Sequence, residues 1–587
     1  STFHTRRPPP PPPPLCLRAA EGRIWGGMWR CCRTDLADDE NGEARLLRQK
    51  RDDCALDPSA PVDILALRNS GYLLQYFAVG LIFGGLPATQ YGLFVAYLNV
   101  PAYVSTAAST LSTFPWSIKI LFALLSDGVP LFGYRRRPWM MVGWTICTLF
   151  LICLACTPLP TPYFCFTESG KLDLHKVCNS GAAHEGLAFA LLMMCAACGY
   201  VLADVAADGL TVSYARREAQ ATRGKTQTTA YLVRTMGQIC AQLLVGLGMN
   251  GPEYEGTFSR GISFSTVCAI LAIPSFAMLF VSWFLIEEPR VVIAAPGAKL
   301  AKPSADLEEA PSLGHFLASG WKLFESAALL DVVLFQFLSN AIGSIGTTAG
   351  PEVQRVWAGV QNLQNQLFSI AGNVLFIFGL WLVRQRFLNF SWRLMLIITT
   401  VLVNVIDIPI TFITIYDVLR NQYFYLDDGL ITAIPSAASF IVGTYVIVEL
   451  AQPGTEALTY GILTTASNLG GPVASGLSNW FFGYWHPSLS DSANYVEDEP
   501  EFRTTVALSF VIGYAFSFLS LAVLPLLPDQ KADTHARLAT RPRHWGYACA
   551  TFVILFVGFL YSLTVDLLSV IPSTSCLEIA GGTGCNA

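Results

Sequence analysis

Apolar spans as long as a bilayer core is thick recur along this chain, and polar breaks separate them. A helix needs about 20 consecutive apolar residues to cross the hydrocarbon. Thirteen such spans cover residues 69–91, 103–125, 139–157, 185–213, 227–249, 262–286, 324–346, 360–383, 392–415, 429–450, 456–483, 504–527 and 545–566. Charged residues make up 13% of the 587, about half the share that is usual in soluble domains. The sequence therefore predicts an all-α polytopic membrane protein with two six-helix bundles and a thirteenth C-terminal transmembrane helix.

The connection between the second and third spans has a distinctive charge pattern. Asp127 closes one span, a turn around Gly133 follows, and Arg135, Arg136 and Arg137 open the next span. Arginine is strongly disfavoured in hydrocarbon, so these arginines must lie at a membrane face. Lys and Arg are about three times as frequent in the connections on this side as on the other, which is the bias of cytoplasmic loops. Both ends of the twelve-span bundle are therefore predicted to be cytoplasmic.

Composition divides the chain into five segments. A proline run from Pro8 to Pro14, followed by mixed charge, is typical of disorder. The predicted segments are a disordered cytoplasmic N-terminal region (1–66), an N-terminal six-helix bundle (67–290), a cytoplasmic linker (291–322), a C-terminal six-helix bundle (323–527), and a basic connection with an extra transmembrane helix and an exterior tail (528–587). Two six-helix halves related by an axis along the membrane normal are typical of the major facilitator architecture.

Two cysteine pairs fall in predicted exterior segments. Cys165 and Cys178 share one connection, and Cys576 and Cys585 share the tail. Both pairs could be disulfides in an oxidising exterior, and free thiols are an equally open alternative. The cysteine spacing does not indicate a zinc site.

Acidic residues in the fourth span are candidates for ion coupling. Asp204 and Asp208 are four residues apart and should share one helix face. Two close carboxylates in a low dielectric cannot both ionise easily, which would suit a proton relay. The alternative is structural: Asp208 pairs with Arg216 or Arg217, or with Arg135–Arg137, which we call the arginine hinge.

The fifth span carries a polar stripe. Arg234, Gln238 and Gln242 follow at steps of four residues. Arginine can hold a carboxylate in a bidentate fork, and glutamine offers donor–acceptor pairs to a flat heterocycle. Arg234 could instead serve only as a counter-charge to Asp204.

Further polar residues fall at membrane depth. Lys119 in the second span could contribute to an anion site, and pairing with a nearby acid is the favoured interpretation. In the second half, Asp331 is a candidate cavity residue, as is Asp407; single acids near span ends are more often solvated or paired. The Asn468–Pro472 stretch predicts either a discontinuous helix that exposes backbone to ligand or a packing kink.

Three segments carry a resemblance to a known family. They are SIKILFALLSDGVPLFGYRRRPWMMVGW (117–144), VLADVAADGLTVSYARRE (201–218) and VIVELAQPGTEALTYGILTTASNLGGP (446–472). Over about residues 69–527 the chain resembles the folate–biopterin transporter family of the major facilitator superfamily, most closely the members found in oomycetes. Ile120 and Ala123 depart from the family pattern, where proline and glycine are usual.

The resemblance implies alternating access, with two halves that rock about a midplane site. Asp127 and the three arginines would then latch the cytoplasmic side, while Asp204, Asp208 and Arg234 carry coupling and ligand contact. A folate or pterin is the implied substrate and the proton the implied coupling ion. The chain would lie in the lipid bilayer of the plasma membrane or of an internal membrane, with no cofactor, no metal and no nucleic-acid partner.

Two other functions are compatible with the same residues. One is a carrier for another small organic anion or nutrient, and the other is a non-transporting membrane sensor on the same fold. An enzyme is not predicted, because the sequence contains no HExxH, GxSxG or GxxxxGK[ST] motif. The absence of the last motif also argues against ATP-driven transport.

Overall fold

The computed structural model describes residues 64, 69–167, 172–216, 225–286, 288, 290–293, 307–310, 313–387, 390–450, 456–582, 584 and 585. Apart from Ile64, the N-terminal region predicted to be disordered (1–66) lies outside these residues. Much of the predicted linker (291–322) lies outside them too, although helix α8, defined below, begins within it.

The first half of the described chain is a set of long helices with a short hairpin. Its elements are α1 (Ser70–Gln90), α2 (Ala102–Thr113), α3 (Lys119–Gly128), α4 (Arg137–Cys156), β1 (Phe164–Phe166), β2 (Leu172–Val177), α5 (Gly186–Arg216), α6 (Lys225–Gly248) and α7 (Phe264–Phe284). A π-helix (Tyr91–Tyr97) extends α1, and a 3₁₀-helix (Phe114–Ile118) joins α2 to α3. Strands β1 and β2 pair antiparallel.

The second half repeats the pattern of long helices and adds one at the C-terminal end. Its elements are β3 (Arg290–Ile293), β4 (Leu307–Ala310), α8 (Leu313–Phe324), α9 (Ala327–Gly343), α10 (Gly350–Glu352), α11 (Asn362–Arg386), α12 (Trp392–Ile415), α13 (Gln422–Ile431), α14 (Ala433–Leu450), α15 (Glu456–Gly483), α16 (Ser492–Glu497), α17 (Pro500–Leu519), α18 (Lys531–Thr540) and α19 (Trp545–Val570). A π-helix (Val353–Trp357) follows α10, and a 3₁₀-helix (Ser520–Leu526) extends α17. Strands β3 and β4 form a parallel pair.

A helix lies at each of the thirteen predicted spans. Within the described residues, eleven helical segments are long and apolar enough to cross a membrane, and α19 is one of them. Helix α9 is a shorter apolar helix, and α15, at the eleventh span, has 28 residues. The prediction of an all-α polytopic membrane protein is confirmed.

Several helices begin where the sequence supplies a polar cap. The Ser263 side chain accepts a hydrogen bond from the backbone N–H of Thr266 at the start of α7. Ser391 does the same for Leu394 at the start of α12. These bonds satisfy backbone donors that the first turn of a helix leaves without partners.

Glycines allow α1 and α6 to pack backbone to backbone. A Cβ on Gly80 would overlap the carbonyl group of Arg234, and a Cβ on Gly237 would overlap that of Phe77. Small residues let membrane helices approach this closely. The contact fixes the position of α6, and with it the position of Arg234.

The buried apolar side chains form separate cores for the two halves. One cluster comes almost wholly from residues 64–286, and a second comes mainly from residues 323–555. A third, smaller cluster includes Trp357, Tyr495 and Phe502. Helix α19 packs against both halves, because Val570 belongs to the first cluster and Leu555 to the second.

Both cysteine pairs form disulfides, Cys165–Cys178 and Cys576–Cys585. They lie at one end of the bundle, because neighbouring residues contact both regions. The Tyr97 carbonyl, in the connection between α1 and α2, accepts from the Tyr163 N–H at 3.0 Å, and the Tyr103 hydroxyl, at the start of α2, donates to the Ser575 carbonyl at 2.9 Å. We call this the disulfide end, and the opposite end, which carries Asp127 and Arg135–Arg137, the hinge end.

Candidate substrate and gating site

A buried ion triad joins α3 and α5. The Lys119 Nζ lies 2.9 Å from Asp204 Oδ2 and 2.9 Å from Asp208 Oδ2. The Asp204 side chain is fully buried, and the Lys119 side chain is only 7% exposed. Both carboxylates reach the same ammonium because a spacing of four places them on one helix face. The pairing of Lys119 with a nearby acid, favoured from sequence, is observed, whereas Lys119 was not among the partners considered for Asp208.

The triad carries one more negative than positive charge when every group is ionised. Tyr76 donates a hydrogen bond to Asp208 Oδ1 at 2.9 Å. Asp204 Oδ1 is buried and has no hydrogen-bond partner among the described groups. A proton added to one carboxyl would leave one lysine and one carboxylate, which is a neutral pair. One added proton would therefore remove the excess buried negative charge of the triad, and its loss would restore that charge.

Arg234 lies near this triad, and three aromatic rings surround its guanidinium group. Its guanidinium carbon is 4.8 Å from the ring centroid of Tyr231, 5.7 Å from that of Phe83 and 6.0 Å from that of Trp116. Guanidinium groups are stabilised over ring faces at such distances. Within the described part of the chain Arg234 makes no ion pair, so a direct pairing with Asp204 is not observed. Asp204 and Asp208 nevertheless attract its charge at longer range, as the counter-charge interpretation predicts.

Side chains from the second half close this region. The Tyr460 hydroxyl lies 2.8 Å from the Tyr231 hydroxyl, and the Ile120 N–H donates to Thr465 Oγ1 at 3.1 Å. A small cavity of about 20 Å³ between α3, α5 and α15 is lined by Lys119, Asp127, Asp208 and Tyr460. Two members of the triad, Lys119 and Asp208, therefore face a small cavity at the interface of the two halves.

A second cavity, of about 480 Å³, lies among α6, α11 and α13. Gln242, from the predicted polar stripe, lines it, and its Oε1 accepts from Asn373 Nδ2 at 3.1 Å. Gln238 lines neither this cavity nor the one beside the triad. It packs against Gly84, where an added Cβ would lie 2.7 Å from the Gln238 Cα. The stripe is therefore split, because α1 covers its middle.

The predicted gating residues meet at the hinge end around an acid that the sequence analysis did not single out. The Arg136 Nε lies 3.6 Å from Asp127 Oδ1, and Gly133 has a φ of +78°, which L-residues rarely adopt. Glu288 accepts backbone N–H bonds from Arg136 at 2.9 Å and Arg137 at 3.0 Å. It thereby caps the first turn of α4, a site that favours a carboxylate. Burial raises the pKa of Glu288, and these N–H groups oppose the rise.

A second charged cluster, at the disulfide end, also escaped the sequence analysis. Arg355 is buried, and its Nη1 donates to the Val95 carbonyl and to Asn99 Oδ1, each at 2.8 Å. Its Nε lies 3.9 Å from Glu352 Oε2. Arg355 therefore binds the connection between α1 and α2 from the second half. The Glu-x-x-Arg spacing (i, i+3) was the available signal, but a charged pair in a connection is usually solvated.

The buried acids of this cluster have perturbed titrations. Burial raises the pKa of Glu352, and the neighbouring Arg355 partly offsets the rise. Burial raises the pKa of Glu255 in the same way, again against the effect of Arg355. One arginine therefore compensates two buried carboxyl groups.

Two acids of the second half that the sequence offers as cavity residues have partners within the protein. The Asp331 Oδ2 pairs with Arg541 Nη2 at 3.0 Å, because the basic segment after α17 folds back onto α9, and Asp331 lines neither cavity described above. Asp407 accepts hydrogen bonds from Thr411 at 3.0 Å and from Tyr514 at 2.7 Å. Both acids are therefore paired, which is the alternative interpretation made from sequence.

Helix α15 is continuous through its glycines and proline. It runs without a break from Glu456 to Gly483, so the discontinuous helix considered from sequence is wrong. A Cβ on Gly470 would lie 2.5 Å from the Cβ of Asn340 in α9. The glycine serves close packing of two helices and does not open the backbone to a ligand.

Part of this chain is similar to a known protein family and to known transporters. Residues 76–161, which contain Lys119 and the arginine hinge, match the BT1 family. This segment is a BT1 domain. A folate–biopterin transporter of Synechocystis is 26% identical to this chain over 455 residues, which are 74% of this chain and 78% of that protein. A probable folate–biopterin transporter of Arabidopsis thaliana is 24% identical over 161 residues, 27% of this chain and 28% of that protein.

Solved structures extend the comparison from the BT1 domain to the whole bundle. A D-xylose–proton symporter aligns with a TM-score of 0.52 and 13% identity, over 78% of this chain and 97% of the symporter. A peptide transporter solved with sulfate aligns with a TM-score of 0.51 and 12% identity, over 81% of this chain and 98% of the transporter. At such identities the likeness shows the fold, and the predicted major facilitator fold is confirmed. Together with the BT1 domain and the transporter homologues, it identifies an integral, multi-pass membrane transporter.

Proposed function

We propose that this chain moves folate- or pterin-type compounds across its membrane by alternating access, coupled to proton movement. The proposal rests on two features that lie side by side near the interface of the two helical halves. One is Arg234, which makes no ion pair with any described residue, and the other is the lysine–diaspartate triad. The names of the relatives in Synechocystis and Arabidopsis supply the substrate class.

Arg234 supports an anionic, flat substrate. Its guanidinium lies among the rings of Tyr231, Phe83 and Trp116. Folates carry carboxylates, which a guanidinium binds in a bidentate fork, and an aromatic ring system that can stack on such side chains. A substrate carboxylate would give the buried charge of Arg234 the counter-ion that the described residues do not supply by an ion pair.

Bonds between the halves support alternating access. Towards the hinge end, Tyr231 meets Tyr460 at 2.8 Å, and at the disulfide end Arg355 donates to the Val95 carbonyl at 2.8 Å. Each is a small polar contact that can break while the other holds. A carrier that opens to one side at a time requires such separable contacts.

The lysine–diaspartate triad supports coupling to protons. Asp204 and Asp208 share the ammonium of Lys119 at 2.9 Å. Protonation of one carboxyl would weaken its hold on Lys119 and free α5 to move relative to α3. Buried ionisable groups within membrane helices commonly mark proton pathways.

Uptake by the purified full chain in liposomes tests the proposal. Labelled folic acid and labelled pterin are offered with and without an imposed proton gradient across the vesicle membrane. We expect accumulation of at least one of them, and faster accumulation when the interior is the alkaline side. Uptake of neither compound would contradict the substrate class, and equal rates with and without the gradient would contradict proton coupling.

Arg234→Ala should reduce folate uptake by about tenfold to a hundredfold, the equivalent of losing one charged hydrogen-bonded contact. The loss should be smaller for unsubstituted pterin, which has no carboxylate. Initial rates of uptake at matched protein amounts measure the effect.

Arg260→Ala is the matched control, because Arg260 is an exposed arginine in the connection before α7. It should transport folate at the wild-type rate. Equal folate uptake by the Arg234 and Arg260 variants would show that Arg234 does not hold the substrate.

A further inference from the structure

The larger cavity is a chamber of about 480 Å³ whose walls come from both halves of the protein. Gln242 of α6, residues of α11 and Asp428 of α13 are among its lining residues. The volume lies within the range for small-molecule pockets. The chamber is distinct from the triad, because none of Lys119, Asp204 and Asp208 lines it.

Side-chain amides dominate the polar lining. Asn373 Nδ2 donates to Gln242 Oε1 at 3.1 Å, a bond that joins the halves. Gln354 Nε2 donates to Asn365 Oδ1 at 3.3 Å. An amide group has two donor hydrogens and two acceptor lone pairs, so each of these bonds uses only part of the capacity of its partners. The chamber can therefore offer both donors and acceptors to a ligand.

Asp428 supplies the charged group of the chamber. Its Oδ1 is buried and has no hydrogen-bond partner among the described groups. The neighbouring acid Asp407 differs, because Thr411 and Tyr514 already donate to it. A carboxylate oxygen only accepts hydrogen bonds, and a buried acceptor without a donor is costly. Asp428 is therefore placed to accept from a ligand.

Aromatic side chains complete the chamber. Phe368 and Phe376 of α11 and Tyr425 of α13 are among its lining residues. Rings of this kind stack on or contact the edges of flat heterocycles. These aromatic side chains, the amides and the one carboxylate together form a site that suits a planar, nitrogen-rich ring.

We infer that this chamber binds a planar heteroaromatic ring through an edge with two adjacent N–H donors, and that Asp428 accepts both. The 2-amino-4-oxopyrimidine edge of a pterin has this pair, one N–H on the ring and one on the amino group. A carboxylate accepts two parallel N–H bonds in a bidentate arrangement, and the amides of Gln242 and Asn373 can bond the remaining ring atoms. This assignment rests on the proposed function. It places the heteroaromatic ring of the substrate in the chamber and the anionic part of the substrate near Arg234.

A pair of matched probes tests the assignment in the detergent-purified full chain. Pterin has the amino group, whereas lumazine, the pteridine-2,4-dione, has a carbonyl oxygen in its place. Both probes fluoresce, so titration of their emission measures binding. We expect the wild type to bind pterin at least about tenfold more tightly than lumazine, because the carbonyl oxygen would face a carboxylate without a donor.

Asp428→Asn should abolish this preference, so that pterin and lumazine bind within about threefold of each other. Asp427→Asn is the matched control, because the adjacent Asp427 is exposed and does not line the chamber. It should keep the wild-type preference. An Asp428 variant that keeps the full preference for pterin would overturn the assignment.

Gly429→Leu provides a second variant that fills the chamber. Gly429 lines the chamber, and a Cβ added there would meet no atom within 4 Å. The variant should fold and should lose binding of both probes. Unchanged pterin binding by this variant would also overturn the assignment.

The outcomes separate the two proposals. The wild type could take up pterin while Asp428→Asn keeps the full preference for pterin over lumazine. This result would overturn the assignment of the chamber and leave the proposed function standing. A wild type that neither binds nor takes up folate and pterin would overturn both.

Discussion

Replacing Lys119 with methionine is expected to destabilise the folded protein by about 3–5 kcal/mol, the usual cost of removing one partner from a buried ion pair. Lys119 contacts both Asp204 and Asp208 at 2.9 Å. Methionine keeps much of the side-chain volume but leaves two carboxyl groups without their cation. The fully buried Asp204 should bear most of the cost, because its other oxygen already has no hydrogen-bond partner among the described groups.

Thermal unfolding in detergent measures this effect. A thiol-reactive dye reports unfolding as it gains access to Cys147 and Cys268, which are free and buried in the folded protein. Lys322→Met is the control, because Lys322 is exposed on α8, and it should unfold at the wild-type temperature. Adding Asp204→Asn to Lys119→Met should recover part of the loss, because it removes one uncompensated charge. If Lys119→Met were as stable as Lys322→Met, the triad would not stabilise the fold.

The sequence predicts features that depend on one helix at a time. The length of the apolar spans gives the helices, and a spacing of four places Asp204 and Asp208 on one face. The choice of partner for these acids depends on how α3 packs against α5. Nearby basic residues such as Arg216 are closer along the chain than Lys119, so sequence distance is a poor guide to this pairing.

The sequence is least informative about the connections. Glu288 and the Glu352–Arg355 pair lie outside the long apolar spans, where charges are normally solvated. In the structure Arg355 is buried, because the connection between α1 and α2 folds over it and accepts its hydrogen bonds. Such burial depends on contacts between segments far apart in the chain, which a local pattern does not record.

Two polar features of the second half have a common role. For Asp331 the sequence leaves open a cavity role or a pairing, and for the Asn468–Pro472 stretch it leaves open a break in the helix or a packing kink. The structure pairs Asp331 with Arg541 and packs Gly470 against Asn340. In both cases a polar or flexible residue at membrane depth serves helix packing. Depth in the membrane alone therefore does not distinguish a structural residue from a functional one.

Arg355→Met is expected to have a comparably large effect, and one that depends on pH. The variant leaves the buried Glu352 and Glu255 without the cation that lowers their pKa values, and it removes donors to Val95 and Asn99. At pH 8 each acid is either ionised without a counter-ion or neutralised at a free-energy cost. We therefore expect the free energy of unfolding to fall by about 3–5 kcal/mol. An acid whose folded pKa lies above its unfolded value destabilises the protein above that folded pKa. The loss should therefore shrink as the pH falls towards 5.

The same dye assay at pH 8 and pH 5 separates this charge effect from a simple loss of packing. Arg260→Met, on the exposed arginine at the same end, should match the wild type at both values. Arg355→Met should unfold well below the wild type at pH 8 and closer to it at pH 5, and Glu352→Gln added to it should reduce the pH dependence. A packing defect would give the same deficit at both pH values, because methionine and arginine differ in volume at any pH. An equal deficit would therefore show that Arg355 acts through its shape and its backbone contacts, and not as the counter-ion of the two acids.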